Sequence, residues 1–423
     1  MNRSPWRWVP TLYTAQGLPY VVVTTLAVVL YKNLGLDNTA IALYTSWLYL
    51  PWVVKPLWSP LVELLRTRRW WVVLTQLLVG ATLAAVALTL PLPRMLQLSL
   101  ALFWLLALAS ATHDIAADGF YLLALPPHQQ AAFVGVRSLF YRVAMIGGQG
   151  GLVVAAGQLT DAVGVVRAWQ LVFGLLGGLF VMLALWHRQV LPQPAADRPA
   201  AAGQPLWAGA AGSFVSFFRR GDIGRVLAFL LLFRLGEAQL VRLVAPFLLD
   251  PRAQGGLGLT TAQLGLAYGT VGVAALTAGG LLGGWVISRQ GLARCLWPML
   301  LAIHVPNLLF VALAAWQPQQ LALVTVAVAA EQFGYGFGFA AYLMFMVWVA
   351  QGHNGRSPTA HYAICTGFMA LGMMLPGMAA GWLQQLLGYT GFFAWVCVAT
   401  LPSFVAAALL RLPADFGRRS EAP

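Results

Sequence analysis

Several charged side chains fall inside stretches otherwise built of Leu, Val, Ala and Phe. They are the bases Lys55, Arg137, Arg142, Arg234 and Arg242 and the acids Asp114, Asp118, Glu237 and Glu331. On insertion scales each costs roughly 2.5–3.5 kcal/mol at a bilayer centre, so each must pair or face water inside the protein. A partly desolvated carboxylate also takes up a proton nearer neutrality than one in water. Protonation of such a group can bias a conformational equilibrium, and Asp114, Glu237 and Glu331 are the candidates for that proton-coupling role.

The spacing of these groups suggests pairs. Asp114 and Asp118 lie one helical turn apart and share a face. They precede Pro126-Pro127, and the following apolar stretch returns through the membrane with Arg137 and Arg142. Residues at equal depth on two antiparallel spans have a constant index sum, which matches Asp118 to Arg137 and Asp114 to Arg142. At 1.5 Å per residue these rungs lie ~9 and ~16 Å above the turn, with Lys55 ~12 Å up as a possible third base. The other reading is that such pairs only hold helices together. Arg234 and Glu237 are three residues apart, ~17 and ~21 Å along their span, and Glu331 is expected at a similar level, near Arg242.

Neutral polar groups surround these charges. Tyr13, Gln16 and Tyr20 near the N-terminus, and Gln332, Tyr335 and Tyr342 beside Glu331, are candidate ligand contacts. Trp47 and Trp52 offer faces on which a sugar ring stacks, although Trp and Tyr in such chains also serve as interfacial anchors. Gly17-Leu18-Pro19 is expected to loosen its helix. His113 and Asp114 are adjacent and point about 100° apart, so they do not make a joint site. His304 reads as a packed histidine, and His353 and His361 as solvated ones. Cys295, Cys365 and Cys397 have no metal-ligand or disulfide spacing. There is no H-E-x-x-H, no G-x-S-x-G and no paired His set, so no enzyme, no cofactor and no metal is expected.

The elements that position these groups follow from composition. Of 423 residues, 60% are hydrophobic and 9% charged, against about 25% charged in a soluble domain. Soluble, disordered and disulfide-framework classes are thereby excluded. The net charge of +13 does not indicate nucleic acid, because the basic residues lie mostly in short connections on one side. Spans are expected near 9–31, 39–63, 70–92, 95–125, 130–157 and 168–190, then 223–248, 261–287, 293–316, 320–350, 360–387 and 389–411. Arg3 and Arg7 precede the first of them, which is too long for a signal peptide and is read as uncleaved. The expected division is a first six-helix half over 1–190, a linker over 191–222 and a second half over 223–423. Within the linker, Pro192, Pro194, Pro199 and Pro205 end a helix, and Trp207 to Phe218 either lies flat on the membrane or is a plain tether.

With the N-terminus inside, sixteen basic residues are cytoplasmic: Arg3, Arg7, Arg66, Arg68, Arg69, Arg188, Arg198, Arg219, Arg220, Arg225, Arg289, Arg294, Arg356, Arg411, Arg418 and Arg419. Only Lys32, Arg94, Arg167 and Arg252 are outside. The positive-inside rule therefore puts both termini and the linker in the cytoplasm.

The connection Ser59-Pro-Leu-Val-Glu63-Leu-Leu-Arg66-Thr-Arg68-Arg69 and its counterpart Gly284-Trp-Val-Ile-Ser288-Arg289-Gln-Gly291-Leu-Ala-Arg294 resemble the G-x-x-x-D-R-x-G-R-[KR] motif of the major facilitator superfamily. Glu63 stands for the Asp, Ser288 removes the acid and Ser59 replaces the Gly. Glu63, Arg68, Arg69, Arg289 and Gly291 are then candidates for a cytoplasmic gate. The fold this implies is an all-α membrane protein with twelve transmembrane helices in two six-helix pseudo-repeats and a cavity between the halves.

Further segments resemble the AmpG-type muropeptide permeases, in the peptide–acetyl-coenzyme A transporter branch of that superfamily. They are Gly17-Leu-Pro19, Lys55-Pro-Leu-Trp58-Ser-Pro60, Ala111-Thr-His-Asp114-Ile-Ala-Ala-Asp118, Leu125-Pro-Pro127, Tyr141-Arg142-Val-Ala-Met145, Arg234-Leu-Gly-Glu237 and Glu331-Gln-Phe-Gly334. The stretch His361 to Gly377 departs from the enterobacterial pattern, as in a divergent branch. The resemblance implies proton-driven import of N-acetylglucosaminyl-anhydro-N-acetylmuramyl fragments across a bacterial inner membrane for cell-wall recycling, by a monomer embedded in lipid. The same machine with another cargo, a siderophore chelate or an acyl-coenzyme A ester, is the alternative, as is a non-transporting receptor.

Overall fold

The computed structural model describes residues 4–195, 197–199, 206–351 and 358–418. Arg3, His353, Arg356 and Arg419, and the side chain of Glu63, lie outside the described residues. Everything described that is regular is helix.

Among the described residues, nine helical runs are long and apolar enough to cross a membrane. Span 1 is Pro5–Asn33, span 3 Arg68–Thr89, span 4 Met95–Ala124, span 5 His128–Val163 and span 6 Val165–Val190. Span 8 is Thr261–Gln290, span 9 Leu292–Trp316 and span 10 Leu321–Gln351. The last run, Ala360–Ala408, holds two spans, 11 and 12, which turn at Gly388 with φ +67°. Spans 2 and 7 complete the twelve, and each is broken in the middle. Span 2 is Asn38–Trp47 followed by Leu50–Leu65. Its break lies just ahead of Pro51, whose ring clashes with the carbonyl four residues back. Span 7 is Ile223–Leu232 followed by Leu235–Leu249, with Arg234 at φ −107° and ψ 16° in the bridge region between them.

Other irregularities are π-helical. One follows the Gly17-Leu18-Pro19 segment at Val22–Leu26; the others are at Gly147–Leu152 in span 5 and Gly265–Gly272 in span 8. Gly17 itself serves close packing rather than loosening: a Cβ there would lie 2.9 Å from that of Ala144 on span 5.

By contacts the chain forms two compact units. The first comprises residues Met1–Gly35 and Val54–Leu206, the second Leu36–Val53 and Trp207–Pro423. The first unit has an aromatic core in which Trp8, Leu12 and Tyr13 of span 1 meet Ala116, Ala117, Phe120 and Tyr121 of span 4. The second is built on Phe229, Phe233, Met299, Ile303, Tyr342 and Phe345 of spans 7, 9 and 10.

Span 10 is clasped on both sides through glycines. A Cβ on Gly336 would lie 2.0 Å from the Leu276 carbonyl oxygen of span 8. Cβ atoms on Gly334 and Gly338 would lie 2.1 Å from the Ala302 oxygen and 2.5 Å from the Met299 oxygen of span 9. Residues four apart share a helix face and the one midway points away, so one short run of glycines serves two neighbours.

The linker helix, Leu206–Phe218, is packed rather than free: Phe217 is fully buried and stacks on Phe368. His361, expected in solvent, is 1% exposed and bonded through Nε2 to Ser216 Oγ at 2.8 Å, because this helix covers it.

Candidate functional site

In the first unit the charges gather between spans 2, 4 and 5. Arg137 Nη2 donates to Asp118 Oδ1 at 2.9 Å, and the Tyr13 hydroxyl donates to the same oxygen at 3.2 Å. The guanidinium lies over the rings of Tyr13 and Tyr121 at 4.6 and 5.0 Å, a geometry worth ~0.5–2 kcal/mol per face. Tyr13 is thus engaged inside the helix bundle. Lys55 Nζ approaches Asp114 Oδ2 to 3.9 Å, so the base read as a third member of the ladder stands on the second rung. Arg142, matched by depth to Asp114, has Nη1 3.9 Å from Met145 Sδ. Gln16 is buried and its Oε1 has no hydrogen-bond partner; Tyr20 is half-buried.

Next to Asp114 runs a buried polar chain that the sequence did not announce. Thr11 Oγ1 meets His187 Nε2 at 2.9 Å, His187 Nδ1 meets Gln76 Oε1 at 2.8 Å, and Gln76 Nε2 meets His113 Nε2 at 2.9 Å. The Gln amide donates at its nitrogen and accepts at its oxygen. The bonds therefore put a proton on His187 Nδ1 and make His113 Nε2 an acceptor. This chain ties spans 1, 6, 3 and 4 together.

In the second unit, Glu237 and Glu331 are both 0% exposed. Glu331 Oε2 accepts from Gln332 Nε2 at 2.9 Å, whereas neither oxygen of Glu237 has a hydrogen-bond partner. Leaving a buried carboxylate unsatisfied is expensive. Arg234, at the break of span 7, donates to the Tyr335 hydroxyl and lies over the rings of Tyr335 and Phe339 at 5.3 and 4.9 Å. Tyr268, not singled out in the sequence, sits in the π-helical stretch of span 8 with Gly265, Gly269 and Gly272, and π-bulges often mark functional sites. Arg242, expected near Glu331, reaches Thr45 Oγ1 at 3.3 Å and stacks on Tyr49 at 4.5 Å. Tyr342 is a packing residue whose hydroxyl donates to the Leu230 carbonyl at 2.7 Å. Trp47 is 40% exposed, while Trp52 is buried.

The gate candidates divide. The backbone N–H groups of Arg68 and Arg69 donate to the two oxygens of Asp197 at 2.7 and 3.0 Å, so a linker carboxylate caps the first turn of span 3, where the helix dipole favours an anion. The Arg69 guanidinium donates to the Arg188 carbonyl, and the Arg68 side chain crosses Gly119, where a Cβ would lie 2.5 Å from Nε. Arg289 stacks on Trp285 at 5.0 Å. Gly291 makes the turn into span 9 with φ +84°, a conformation that favours glycine.

Among the described residues no group of three His, Cys, Asp or Glu is placed to hold a metal ion. The arrangement offers buried carboxylates, tyrosine hydroxyls and guanidinium groups, which is equipment for binding protons and polar solutes.

The profile of the BT1 family matches residues 16–410. The anhydromuropeptide permease of Escherichia coli strain K12 is 24% identical over 411 residues, covering 96% of this chain and 79% of that protein. The putative transporter AmpG 4 of Rickettsia conorii is 25% identical over 401 residues, covering 92% of each. Among solved structures, the nucleoside transporter NupG superposes with a TM-score of 0.70 at 16% identity over 95% of this chain and 96% of its own. A D-xylose–proton symporter superposes with a TM-score of 0.68 at 13% identity over 97% and 98%. The fold is that of the major facilitator transporters.

Proposed function

Because the chain belongs to the BT1 family of membrane transporters, we propose that it imports muropeptide-like fragments, N-acetylglucosaminyl-anhydro-N-acetylmuramyl saccharides or peptides, by proton-coupled alternating access. The protein is a multi-pass membrane transporter of a small molecule and not an enzyme. The cargo follows the name of the Escherichia coli relative, an anhydromuropeptide permease.

The observation that supports proton coupling is the pair Glu237 and Glu331, fully buried together, with both oxygens of Glu237 unpartnered. Like charges in a desolvated site oppose one another, and a buried carboxylate without a partner is costly. A site of this kind takes and releases a proton as water access changes. Asp114 is the corresponding acid of the first unit, and Gln16, Tyr20, Gln332 and Tyr335 are the substrate contacts in this reading. The halves are 1–190 and 223–423 joined by the linker 191–222, with termini and linker on the cytoplasmic side of a bacterial inner membrane, as the basic residues argue.

The test is uptake of labelled anhydro-muropeptide into proteoliposomes. Saturable uptake that accelerates with an inward proton gradient is expected. Glu237→Gln and Glu331→Gln should abolish gradient-driven accumulation while keeping counterflow. Uptake indifferent to the gradient removes the coupling, and absence of any uptake removes the cargo.

A further inference from the structure

Glu331 has one oxygen satisfied and one not. Oε2 accepts from Gln332 Nε2 at 2.9 Å, while Oε1 is buried with no hydrogen-bond partner among the described residues. Gln332 packs against Gly272, on the side of span 8. On the side of span 9 there is a second buried amide. Asn307 is fully buried, and neither its Oδ1 nor its Nδ2 has a partner among the described residues. Buried polar groups are nearly always bonded, so an amide with both its donor and its acceptor unused calls for an explanation.

Helix register sets Asn307 opposite Glu331. Spans 9 and 10 run antiparallel, and their close contacts count off the level. A Cβ on Gly338 would lie 2.6 Å from Ile303 Cβ, and one on Gly334 would lie 3.0 Å from Pro306 Cγ. The next turn of span 10 offers Glu331, and the next turn of span 9 offers Asn307. Glu331, Gly334 and Gly338 share one face of their helix, as Ile303 and Asn307 share one face of theirs. The carboxyl group is thus bracketed by two amides, only one of which it engages.

An amide suits a group that gains and loses a proton. Its NH2 donates to an ionised carboxylate, and its carbonyl oxygen, turned to the same place, accepts from the O–H of a protonated carboxyl. Arginine or lysine serves only the first of these states, and an apolar side chain serves neither. Turning Asn307 over breaks no hydrogen bond, because neither of its polar atoms holds one. The charged and titratable groups near this depth on the neighbouring helices are Arg234, Glu237 and Arg242 of span 7, Tyr268 of span 8, His304 of span 9 and Tyr335 of span 10 itself.

We propose that Asn307 is a positioning residue for Glu331. It donates through Nδ2 when the carboxylate is ionised, accepts through Oδ1 when the carboxyl is protonated, and turns over between the two. The proposal deepens the proton-coupling reading above and rests on it, but not on the identity of the cargo.

The test uses the full chain in proteoliposomes. Asn307→Leu keeps the shape and removes both polar atoms, Asn307→Asp keeps the shape and loses the donor, and Asn307→Gln keeps the amide. Gradient-driven accumulation of anhydro-muropeptide should fall about tenfold or more in the Leu and Asp variants, as for the loss of one hydrogen bond to a charged group. Asn307→Gln should recover most of it. Counterflow, which needs no net proton movement, should be unchanged in all three. Accumulation that Leu and Asp leave intact, or counterflow that falls in step with accumulation, overturns the proposal. Infrared difference spectra recorded on a pH jump decide the same point without cargo. The carboxyl band assigned to Glu331 by its loss in Glu331→Gln should move in Asn307→Leu and stay near its place in Asn307→Gln. A band at one frequency in parent, Leu and Gln proteins also overturns the proposal. If the parent shows no gradient-driven accumulation while the band still follows Asn307, the coupling reading falls and the pairing of Asn307 with Glu331 stands.

Discussion

Lys55 Nζ lies 3.9 Å from Asp114 Oδ2, although the two come from spans 2 and 4 and neither is in the turn that pairs Asp118 with Arg137. The lysine follows the break ahead of Pro51 and stands immediately before Pro56, in the half of span 2 that belongs to the first unit. Both side chains are largely withdrawn from solvent, at 23% and 14% exposure. Removing one partner leaves the other charge in poor surroundings, which costs more than removing both. A double-mutant cycle of Lys55→Ala and Asp114→Ala, read by thermal unfolding in detergent, should therefore give a coupling of about 1 kcal/mol, with the double variant less destabilised than the sum of the singles.

The linker carboxylate on span 3 makes a second prediction. Asp197→Ala removes the acceptor for the N–H groups of Arg68 and Arg69, and losing such a cap costs about 1 kcal/mol. Asp197→Asn keeps an oxygen and should retain part of that. Limited trypsin digestion should cut faster at Arg68 and Arg69 in the Ala variant, with the Asn variant between.

Asp222, just before span 7, gives a pH dependence. The Arg220 guanidinium, donating at 3.0 and 3.2 Å, holds its carboxyl below the ordinary carboxylate range. A folded-state value below the unfolded one adds stability above the unfolded value of about 4, and that stability is lost as pH falls through the folded value. The carboxylate is partly exposed, so the effect is under about 1 kcal/mol. Thermal unfolding from pH 7 down to 3 should show a steeper loss in the parent than in Asp222→Asn.

Two glycines near one another should behave oppositely. An Ala at Gly336 meets the Leu276 carbonyl at 2.0 Å, so spans 8 and 10 must separate; overpacking of this kind costs about 1–3 kcal/mol or more. An Ala at Gly284 meets nothing within 4 Å and gains up to ~1 kcal/mol of helix propensity. Yield of folded protein and melting temperature should fall for Gly336→Ala and hold or rise for Gly284→Ala.

The legible and the hidden parts of the site separate on physical grounds. Asp118 and Arg137 were matched because spans 4 and 5 are joined by the short turn at Pro126-Pro127, and a tight antiparallel connection fixes depth by counting. No such ruler reaches from span 2 to span 4, so Lys55 was assigned a depth but not a partner, and none reaches from Arg242 to Thr45. Asp197 sits in a proline-rich stretch that reads as a tether, since a capping carboxylate supplied from a distant segment leaves no local pattern. His361 was misjudged because its cover is a helix more than a hundred residues earlier. Tyr268 lacked any charge to draw attention, and the π-helical stretch around it is visible only in the structure. The spans themselves were legible throughout, because apolar length is a local property. The breaks in spans 2 and 7 were not, since a broken span has the same composition as a straight one.

Gly334, Gly336 and Gly338 bring the backbone of span 10 against the backbones of spans 8 and 9, and a helix seated that way has no freedom to slide or roll on its own. Glu331 rides on this helix, three residues before the first of those glycines. The carboxylate is thus carried by the helix whose backbone lies hardest against its neighbours, and larger side chains along that seam are closed to this chain.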